Sequence, residues 1–282
     1  MIMNYVCFNI SSDCNMQCPY CYRVGNTRGI TSLKAAKTYV DYLIDHGCTT
    51  INLTGGEPLL NPDWKNIINY CADKGLLVIL STNGLKLDIN ENVLRRVSVL
   101  SLPLDGGDEK VNSGTRSSGH FTKIKKMVEQ YVKGDYPFSL KINTVLTRYN
   151  FNALNEMLPL LDDPKIVWKI FQLRKKGEYY HFPSNKVISD ELAKKSVLNL
   201  NQCKHKCKII FMGKHSNELK EYNVKPNYIV VDYNGDVYFA GEQENRLLFN
   251  LETPTEVTIN DSLLRADLFN DQYNEELSDA IK

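Results

Sequence analysis

The sequence predicts an α/β protein: an open, partial barrel of six β-α units followed by a smaller α+β extension. Short apolar runs alternate with amphipathic stretches from residue 5 to about residue 173, which is the pattern of a parallel sheet. Polar residues follow several of these runs, at the strand ends where such folds place their binding sites. The alternation stops after about residue 174. We therefore expect a core domain over residues 1–175 and an extension over residues 176–282 that closes the barrel and the substrate site.

Six strands are predicted in the core, at residues 5–10, 50–54, 76–82, 98–104, 138–146 and 166–173. The first helix is predicted from about Ser32 to His46, because its apolar residues recur at helical spacing and Gly47 follows its end. The second helix starts after Asn61-Pro62 and stops at Gly75. The remaining core helices are predicted at residues 90–97, 119–133 and 151–161.

The extension is predicted to contain a helix over residues 189–200, a β-hairpin and a final helix over residues 261–280. The hairpin joins Tyr228–Asp232 to Val237–Phe239 through Asn234-Gly235, a dipeptide typical of tight hairpin turns. This extension closes the open side of the barrel or covers the substrate, and a purely structural cap would show the same pattern.

Composition excludes several classes of partner. The formal net charge is +1, so the protein has no overall field to attract a nucleic-acid polymer or an anionic membrane. No stretch approaches the roughly 20 apolar residues that span a bilayer. Eight unevenly spaced cysteines indicate a reducing compartment and thiols kept for metal or packing. We expect a soluble, cytoplasmic protein.

Three cysteines, Cys14, Cys18 and Cys21, lie within eight residues and carry the most chemical information in the chain. Three thiolates can bind three irons of a [4Fe–4S] cluster and leave the fourth iron open to a small molecule. A zinc site would need a fourth ligand at short spacing, and the next Cys or His is His46. A disulfide framework does not suit a chain of this size.

The spacing Cys-x3-Cys-x2-Cys, with the aromatic Tyr20 just before the last cysteine, resembles the radical S-adenosylmethionine (SAM) superfamily. The resemblance implies a [4Fe–4S] cluster on Cys14, Cys18 and Cys21, with SAM at the open iron. It also implies that reduction of the cluster cleaves SAM to methionine and a 5′-deoxyadenosyl radical, which takes hydrogen from an unactivated carbon. An electron donor such as a flavodoxin or ferredoxin would supply the electron.

Polar residues after the second, third and fourth strands fit SAM binding within that family. Gly55-Gly56-Glu57-Pro58 looks like the motif that holds the SAM amino group, although alone it could be an ordinary turn. The residues at the next two strand ends commonly face the ribose and methionine parts, but they are also frequent caps and turn residues. The residues implied to bind the cofactor are Tyr20, Gly55, Gly56, Glu57, Ser81, Asn83, Asp105, Arg116, Asn143 and Phe171.

Two lysines, Lys141 and Lys169, interrupt the apolar runs of the fifth and sixth strands. A buried lysine is costly unless it has an anionic partner, so the pair suggests an anion bound in the barrel. The alternative is that both side chains point outward and keep their amino groups in water. Strand alternation favours neither.

The same strands resemble the viperin family of radical SAM enzymes, and the resemblance covers residues 5 to about 260. It rests on Lys-Ile-Asn-x-Val at 141–145, Arg-x-Asn at 148–150, Trp-Lys-x-Phe-Gln at 168–172, Asp-x-x-Val-Asn at 108–112 with Arg116 following, and the Asn-Tyr-Ile-Val-Val-Asp of the hairpin. It implies dehydration of CTP, UTP, GTP or ATP to a 3′-deoxy-3′,4′-didehydro nucleotide, for antiviral or antiphage defence. The residues implied to bind this substrate are Thr54, Arg116, Lys141, Asn143 and Lys169.

The chain also departs from the viperin family. Thr50 and Val167 stand where the family has a lysine and an arginine, and Cys7 replaces an asparagine of the first strand. The family's lysine-rich C-terminal end has no clear counterpart after Phe269. Fewer cations imply weaker binding of a triphosphate.

Two other functions remain open from the sequence. One is a radical SAM enzyme that modifies peptides or proteins; such enzymes often carry further clusters, for which Cys203 and Cys207 are the candidates here. These two cysteines with His205 could hold zinc, but packing or surface use is expected. The other is a non-catalytic cluster-binding regulator, which would need no phosphate-binding lysines.

Overall fold

A ten-stranded sheet runs through the part of the chain that the computed structural model describes, namely residues 4–21, 28–173, 183–213, 228–240 and 245–253. The strands are β1 Tyr5–Ser11, β2 Thr50–Gly55, β3 Leu77–Ser81, β4 Val99–Pro103, β5 Ser139–Leu146, β6 Ile166–Gln172, β7 Lys208–Met212, β8 Tyr228–Val231, β9 Asp236–Ala240 and β10 Asn245–Asn250. Their order across the sheet is β10-β9-β8-β1-β2-β3-β4-β5-β6-β7. Strands β1 to β7 are parallel neighbours, β8 joins the far side of β1 in parallel, and β9 and β10 pair antiparallel.

Helices connect the parallel strands, as β-α units require. The α-helices are α1 Leu33–Asp45, α2 Trp64–Asp73, α3 Glu109–Asn112, α4 His120–Lys133, α5 Leu158–Leu161 and α6 Asp190–Gln202. Short 3₁₀ turns cover Pro58–Leu60, Asn92–Arg96, Leu154–Met157 and Ser184–Lys186. Among the described residues, no helix is both long enough and apolar enough to cross a membrane.

The predicted α/β fold is confirmed, and all six predicted core strands are present within one residue of their ends. The predictions for residues 90–97 and 151–161 were wrong in type. The first is a 3₁₀ turn, and the second is a 3₁₀ turn followed by a one-turn α-helix with Pro159 near its start, where proline is tolerated. Strands β7 and β10 were not predicted. The final helix predicted at residues 261–280 lies outside the described residues.

The extension contributes to both edges of the sheet. Strand β7 pairs with β6, and the hairpin of β8 and β9, with Asn234-Gly235 in its turn, pairs with β1. Gly235 has a φ of +85°, a conformation that glycine adopts without strain. The division of the chain at residue 176 stays a prediction.

The two faces of the sheet differ in chemistry. One face is apolar and packs against the helices; in β5 and β6 it presents Leu140, Ile142, Trp168 and Ile170. The opposite face, here called the inner face, carries the alternate residues. Lys141 and Lys169 lie on this inner face and are only 8% and 3% exposed. Of the two alternatives that the sequence left open, the side chains are therefore buried and do not reach outward into water.

The inner face is concave. Tyr5 on β1 packs with Ile79 on β3 and Val99 on β4 in one apolar cluster. Burial raises the pKa of the Cys7 thiol on β1, and the charge of Lys141 on β5 is among the influences that oppose the rise. In a flat sheet three strand spacings would separate β1 and β4 by about 14 Å, so an apolar cluster shared by β1, β3 and β4 indicates that the sheet curls around its inner face.

Candidate active site

The cysteine loop, residues 12–21, follows β1 at the carboxyl edge of the sheet. Its start is fixed by hydrogen bonds from the Ser12 N–H to the Gly29 carbonyl (2.9 Å) and from the Thr31 N–H to the Ile10 carbonyl (3.0 Å). The Cys21 N–H donates to the Cys18 carbonyl at 3.0 Å, so these two cysteines share one turn. The loop therefore presents its thiols at the edge where the sequence predicted them.

The Gly55-Gly56 pair lies against the cysteine loop. The Gly56 N–H donates to the Ser11 carbonyl and the Glu57 N–H donates to the Asp13 carbonyl, both at 2.7 Å. A Cβ on Gly55 would lie 2.1 Å from the Ser11 carbonyl oxygen, and one on Gly56 would lie 2.4 Å from that of Asp13. The glycines are thus required for the close approach of these two loops, which sets the position of the cysteines.

Glu57 is 1% exposed and joins β2 to the end of β3. Its carboxylate accepts hydrogen bonds from the Leu59 N–H (3.1 Å), the Thr82 hydroxyl (2.6 Å) and the Asn83 N–H (2.7 Å). Burial raises the pKa of Glu57, and these hydrogen bonds oppose the rise. Three of roughly four acceptor positions are used inside the protein, so Glu57 positions the loops as well as offering one position to a ligand.

Asp105, after β4, is fully buried and forms the centre of a cluster that we call the Asp105 hub, made of Asp105, Tyr20, Thr115 and Arg116. Its Oδ2 accepts from the Tyr20 hydroxyl, the Thr115 hydroxyl (2.8 Å) and Arg116 Nε (2.7 Å). Its Oδ1 accepts from the Val145 N–H at 2.8 Å. Four donors from the protein thus hold the Asp105 carboxylate, and its predicted contact with the cofactor stays a prediction.

Arg116 reaches from the Asp105 hub to the cysteine loop. Its Nη1 donates to Cys18 Sγ at 3.4 Å, and its guanidinium carbon lies 5.2 Å from the centre of the Tyr20 ring. Burial raises the pKa of the Cys18 thiol, and the Arg116 charge opposes that rise. The structure therefore places Arg116 between Tyr20 and Cys18, and the cofactor-binding roles of Tyr20 and Arg116 stay predictions.

His120 is a buried residue for which the sequence indicated no partner. Its Nε2 lies 3.1 Å from the Asn83 carbonyl oxygen and its Nδ1 lies 3.1 Å from Asn112 Nδ2. Because a carbonyl only accepts, Nε2 carries the proton and Nδ1 accepts from Asn112. Asn112 Oδ1 in turn accepts from the Asp105 N–H at 2.9 Å. The signal available in the sequence was the Asp-x-x-Val-Asn motif, whose last residue is Asn112.

Polar side chains also line the inner face. Asn143 Nδ2 donates to Ser101 Oγ at 2.9 Å, and the Ser81 hydroxyl donates to Asn52 Oδ1 at 2.7 Å. Lys141 pairs in register with Val167, and Asn143 pairs with Lys169, so the two lysines lie on one face of adjacent strands in diagonal positions.

Three further predicted residues lie at the upper edge of this face. Phe171 is two residues beyond Lys169, whose Nζ is 5.5 Å from the centre of the Phe171 ring. Thr54 is half-buried near the end of β2, in register with Asn9 on β1. Asn83 donates from Nδ2 to Asn15 Oδ1 at 2.7 Å, and so contacts the cysteine loop. The structure thus brings the predicted residues to one edge and one face of the sheet.

Several buried polar atoms around this edge have no hydrogen-bond partner within the described ranges: Asp13 Oδ1, Ser117 Oγ and Asn143 Oδ1. Asp13 precedes the first cysteine and Ser117 follows Arg116. Such atoms are costly to bury and suit a polar ligand. Together with three cysteines on one loop, they fit a cluster with SAM bound beside it.

A single metal ion fits less well. Across the described ranges, no three His, Cys, Asp or Glu side chains lie close enough together to grip one ion. A cluster spaces its thiolates more widely, because each binds a different iron. In the extension, Cys207 is packed in the hydrophobic core, and Cys203 Sγ lies 3.6 Å from the Asn199 carbonyl oxygen.

Comparison with known proteins identifies the family. The family model described as the radical SAM superfamily matches residues 8–161, more than half of the chain. The chain belongs to the radical SAM superfamily of enzymes. The cofactors of this superfamily are a [4Fe–4S] cluster and SAM, as predicted from the cysteine triplet.

Curated relatives within the radical SAM superfamily differ in their named activities. The chain is 28% identical over 171 residues to the mycofactocin maturase MftC of Mycobacterium ulcerans, covering 58% of this chain and 46% of the relative. It is 31% identical over 163 residues to the AdoMet-dependent heme synthase of Methanosarcina barkeri, covering 55% and 46%. It is 28% identical over 204 residues to the probable GTP 3′,8-cyclase of Methanococcus aeolicus, covering 67% and 66%. The chain thus spans about half the length of the first two relatives.

Solved radical SAM structures share the fold. Streptococcus suis SuiB bound to SAM superposes with a TM-score of 0.71 at 17% identity, covering 95% of this chain and 68% of SuiB. The enzyme anSMEcpe with bound AdoMet and a peptide gives a TM-score of 0.66 at 18% identity, covering 99% and 83%. At these identities the likeness concerns the fold.

Proposed function

We propose that this radical SAM enzyme abstracts the C4′ hydrogen atom from the ribose of a nucleoside triphosphate. Loss of the 3′-hydroxyl as water and reduction by one electron from the external electron donor then give a 3′-deoxy-3′,4′-didehydro nucleotide. The single observation that carries the proposal is the burial of Lys141 and Lys169 on neighbouring strands of the inner face. When bound, the cluster and SAM supply the radical that removes the hydrogen atom. The protein must position one ribose carbon and shield the site from other hydrogen donors.

Two buried ammonium groups on adjacent strands favour an anionic ligand. Lysine is seldom as buried as Lys169, which is 3% exposed, because removing its charge from water is costly. A second positive charge on the next strand adds repulsion, which is stronger where little water screens it. A polyphosphate carries several negative oxygens that can accept charge-assisted hydrogen bonds from both lysines at once.

Asn143 is suited to hold the ribose. It lies on the inner face of β5, which pairs with β4 on one side and with β6 on the other. Its Nδ2 is held by a hydrogen bond to Ser101. Its Oδ1 is buried and has no hydrogen-bond partner among the residues that the structure describes. A sugar hydroxyl that donates to this oxygen would satisfy it and would orient the ring relative to the lysines.

The comparisons support a nucleotide in part. The name of one relative, GTP 3′,8-cyclase, specifies a nucleotide and a ribose position. Dehydration in particular rests on the motifs shared with the viperin family, in which Lys141, Asn143 and Lys169 have counterparts. A product without a 3′-hydroxyl would terminate RNA chains, which suits antiviral defence.

A peptide substrate is the second candidate. The mycofactocin maturase relative and the solved complex of SuiB with its precursor peptide SuiA favour it. The buried lysines distinguish the two candidates, since a polyphosphate needs them and most peptides do not.

The test uses anaerobically reconstituted protein with dithionite, SAM and, in separate reactions, CTP, UTP, GTP or ATP. We expect one nucleotide to increase 5′-deoxyadenosine formation strongly and to yield a product lighter by one water, measured by mass spectrometry. Stimulation by none of the four would contradict the proposal and favour a peptide. Failure to cleave SAM under every condition would favour a cluster-binding regulator.

Variants of the two lysines refine this test. Lys141→Met and Lys169→Met should each raise the nucleotide KM by about tenfold or more, since each removes a charge-assisted hydrogen bond. Iron and sulfide content should not change. Lys165→Met is the matched control, because Lys165 is exposed at the start of β6, with Nζ 3.1 Å from the Val132 carbonyl oxygen. Loss of the cluster in the Lys141 or Lys169 variants would show that these residues are structural instead.

A further inference from the structure

Arg116 makes a contact that substrate binding does not explain. Its Nη1 donates a hydrogen bond to Sγ of Cys18, a predicted cluster ligand, at 3.4 Å. The Arg116 side chain is only 10% exposed, and Nε of the same guanidinium is bound to Asp105 at 2.7 Å. We infer that Arg116 raises the reduction potential of the cluster by donating this hydrogen bond to the Cys18 sulfur.

The sign follows from charge. Adding one electron to a [4Fe–4S] cluster makes the cluster and its thiolates more negative by one charge. A cation and an N–H donor at a thiolate sulfur stabilise the more negative state, and hydrogen bonds to cluster sulfurs are known to tune such potentials. Burial of the guanidinium strengthens the effect, because water screens it little.

Asp105 does not cancel this effect. The Asp105 carboxylate lies at the Nε side of the guanidinium, while Nη1 faces Cys18, so the positive end of the pair is directed at the sulfur. The carboxylate is also shared with the hydroxyls of Tyr20 and Thr115. The Asp105 hub therefore keeps the guanidinium buried and aimed.

The planar fork of arginine is needed for this geometry. One guanidinium can donate to Asp105 and to Cys18 from different nitrogens, whereas the single amino group of lysine is a point charge. The Tyr20 ring, with its centre 5.2 Å from the guanidinium carbon, supports the fork from one side. The aromatic residue before Cys21 and the distant Arg116 therefore act on the same guanidinium position.

The test is a redox titration of reconstituted protein without SAM or substrate, followed by electron paramagnetic resonance. In Arg116→Met we expect the ratio of reduced to oxidised cluster at a fixed potential to fall about tenfold, which corresponds to a midpoint about 59 mV lower. Arg116→Lys retains the charge, so the ratio of reduced to oxidised cluster should fall by only about threefold. Arg96→Met, which removes an arginine from an exposed pair with Asp73, is the matched control and should not shift it.

Three outcomes would overturn the inference. The first is Arg116→Met with full iron and sulfide content and an unchanged ratio, since a merely structural residue would behave so. The second applies if Arg116→Met binds no cluster: a ratio of reduced to oxidised cluster in Arg116→Lys equal to that of the wild type would then overturn the inference. Loss of the cluster in both variants would assign Arg116 to cluster assembly. Because no nucleotide is present, none of these outcomes depends on the proposed substrate.

Discussion

The loops after β1 to β4 and the inner face of β5 and β6 treat buried polar groups in opposite ways. In the loops, Asp105 and Glu57 accept hydrogen bonds from donors within the protein. On the inner face, two buried lysines accompany Asn143, whose Oδ1 has no hydrogen-bond partner in the part of the chain that the structure describes. The two loop carboxylates take most of their hydrogen bonds from protein donors, whereas we propose that the inner face holds a ligand. Substitutions in the loops should therefore cost stability, and those on the inner face should cost function.

The largest loss of stability is expected for Asp105→Asn. The change removes the carboxylate from a buried pair and leaves the Arg116 guanidinium uncompensated, which typically costs about 3–5 kcal/mol. The free energy of unfolding, measured by anaerobic urea denaturation, checks it. Asp73→Asn is the control, because Asp73 forms an exposed pair with Arg96 and should show no measurable cost. If Asp105→Asn and Asp73→Asn lower the free energy of unfolding by the same amount, the Asp105 hub does not stabilise the fold.

A smaller, pH-dependent loss is expected from His120. Burial, with the Arg116 charge second, lowers the pKa of His120 from 6.5 to about 4. The unfolded chain therefore binds the proton first, so the stabilisation from His120 is complete above about pH 6.5 and is lost as pH falls toward 4. The full effect is on the order of 3 kcal/mol.

Stability curves at several pH values test this sign. The unfolding free energy of the wild type should fall between pH 6.5 and pH 4 more steeply than that of His120→Gln, which cannot titrate. Above pH 7 the two proteins should differ by a constant amount, which reports the lost hydrogen bonds to Asn83 and Asn112. Parallel curves across the whole range would show that His120 does not stay neutral in the fold.

Features set by local sequence patterns could be predicted, whereas features set by contacts between distant segments could not. The cysteine spacing, Gly55-Gly56-Glu57 and the apolar runs of the strands are local patterns, and the structure places them as expected. Strand β7 was missed because its Lys208–Met212 run follows a break in the β-α alternation, so nothing local indicated that it continues the parallel sheet.

The partners of buried polar residues could not be predicted, because they depend on contacts between distant segments. Nothing in the sequence near Asp105 indicated its donors, because Tyr20 and Arg116 lie on two other loops. His120 showed no partner because Asn83 and Asn112 approach it only in the folded chain. For Lys141 and Lys169, alternation gave two equal choices, and only the curl of the sheet decides between them.

The smallest loss of stability, with a clear loss of function, is expected for Asn143→Ala. The variant removes one hydrogen bond to Ser101, at a cost of about 1 kcal/mol, and deletes a buried oxygen that has no hydrogen-bond partner among the described residues. The nucleotide KM should nevertheless rise about tenfold, as expected for losing a hydrogen bond to the ribose. Unfolding and steady-state kinetics on the same preparation give both values.

Asn150→Ala is the matched control, since it changes the same residue type on the loop side. Asn150 Nδ2 donates to the carbonyls of Asp105 and Val145, both at 2.9 Å, and its Oδ1 accepts from the Thr147 N–H at 2.8 Å. Its removal leaves buried carbonyls without donors, so its stability cost should exceed that of Asn143→Ala by about 1–3 kcal/mol. If Asn143→Ala is the more destabilising of the two, the inner face is a packed structural layer and the contrast between the two regions fails.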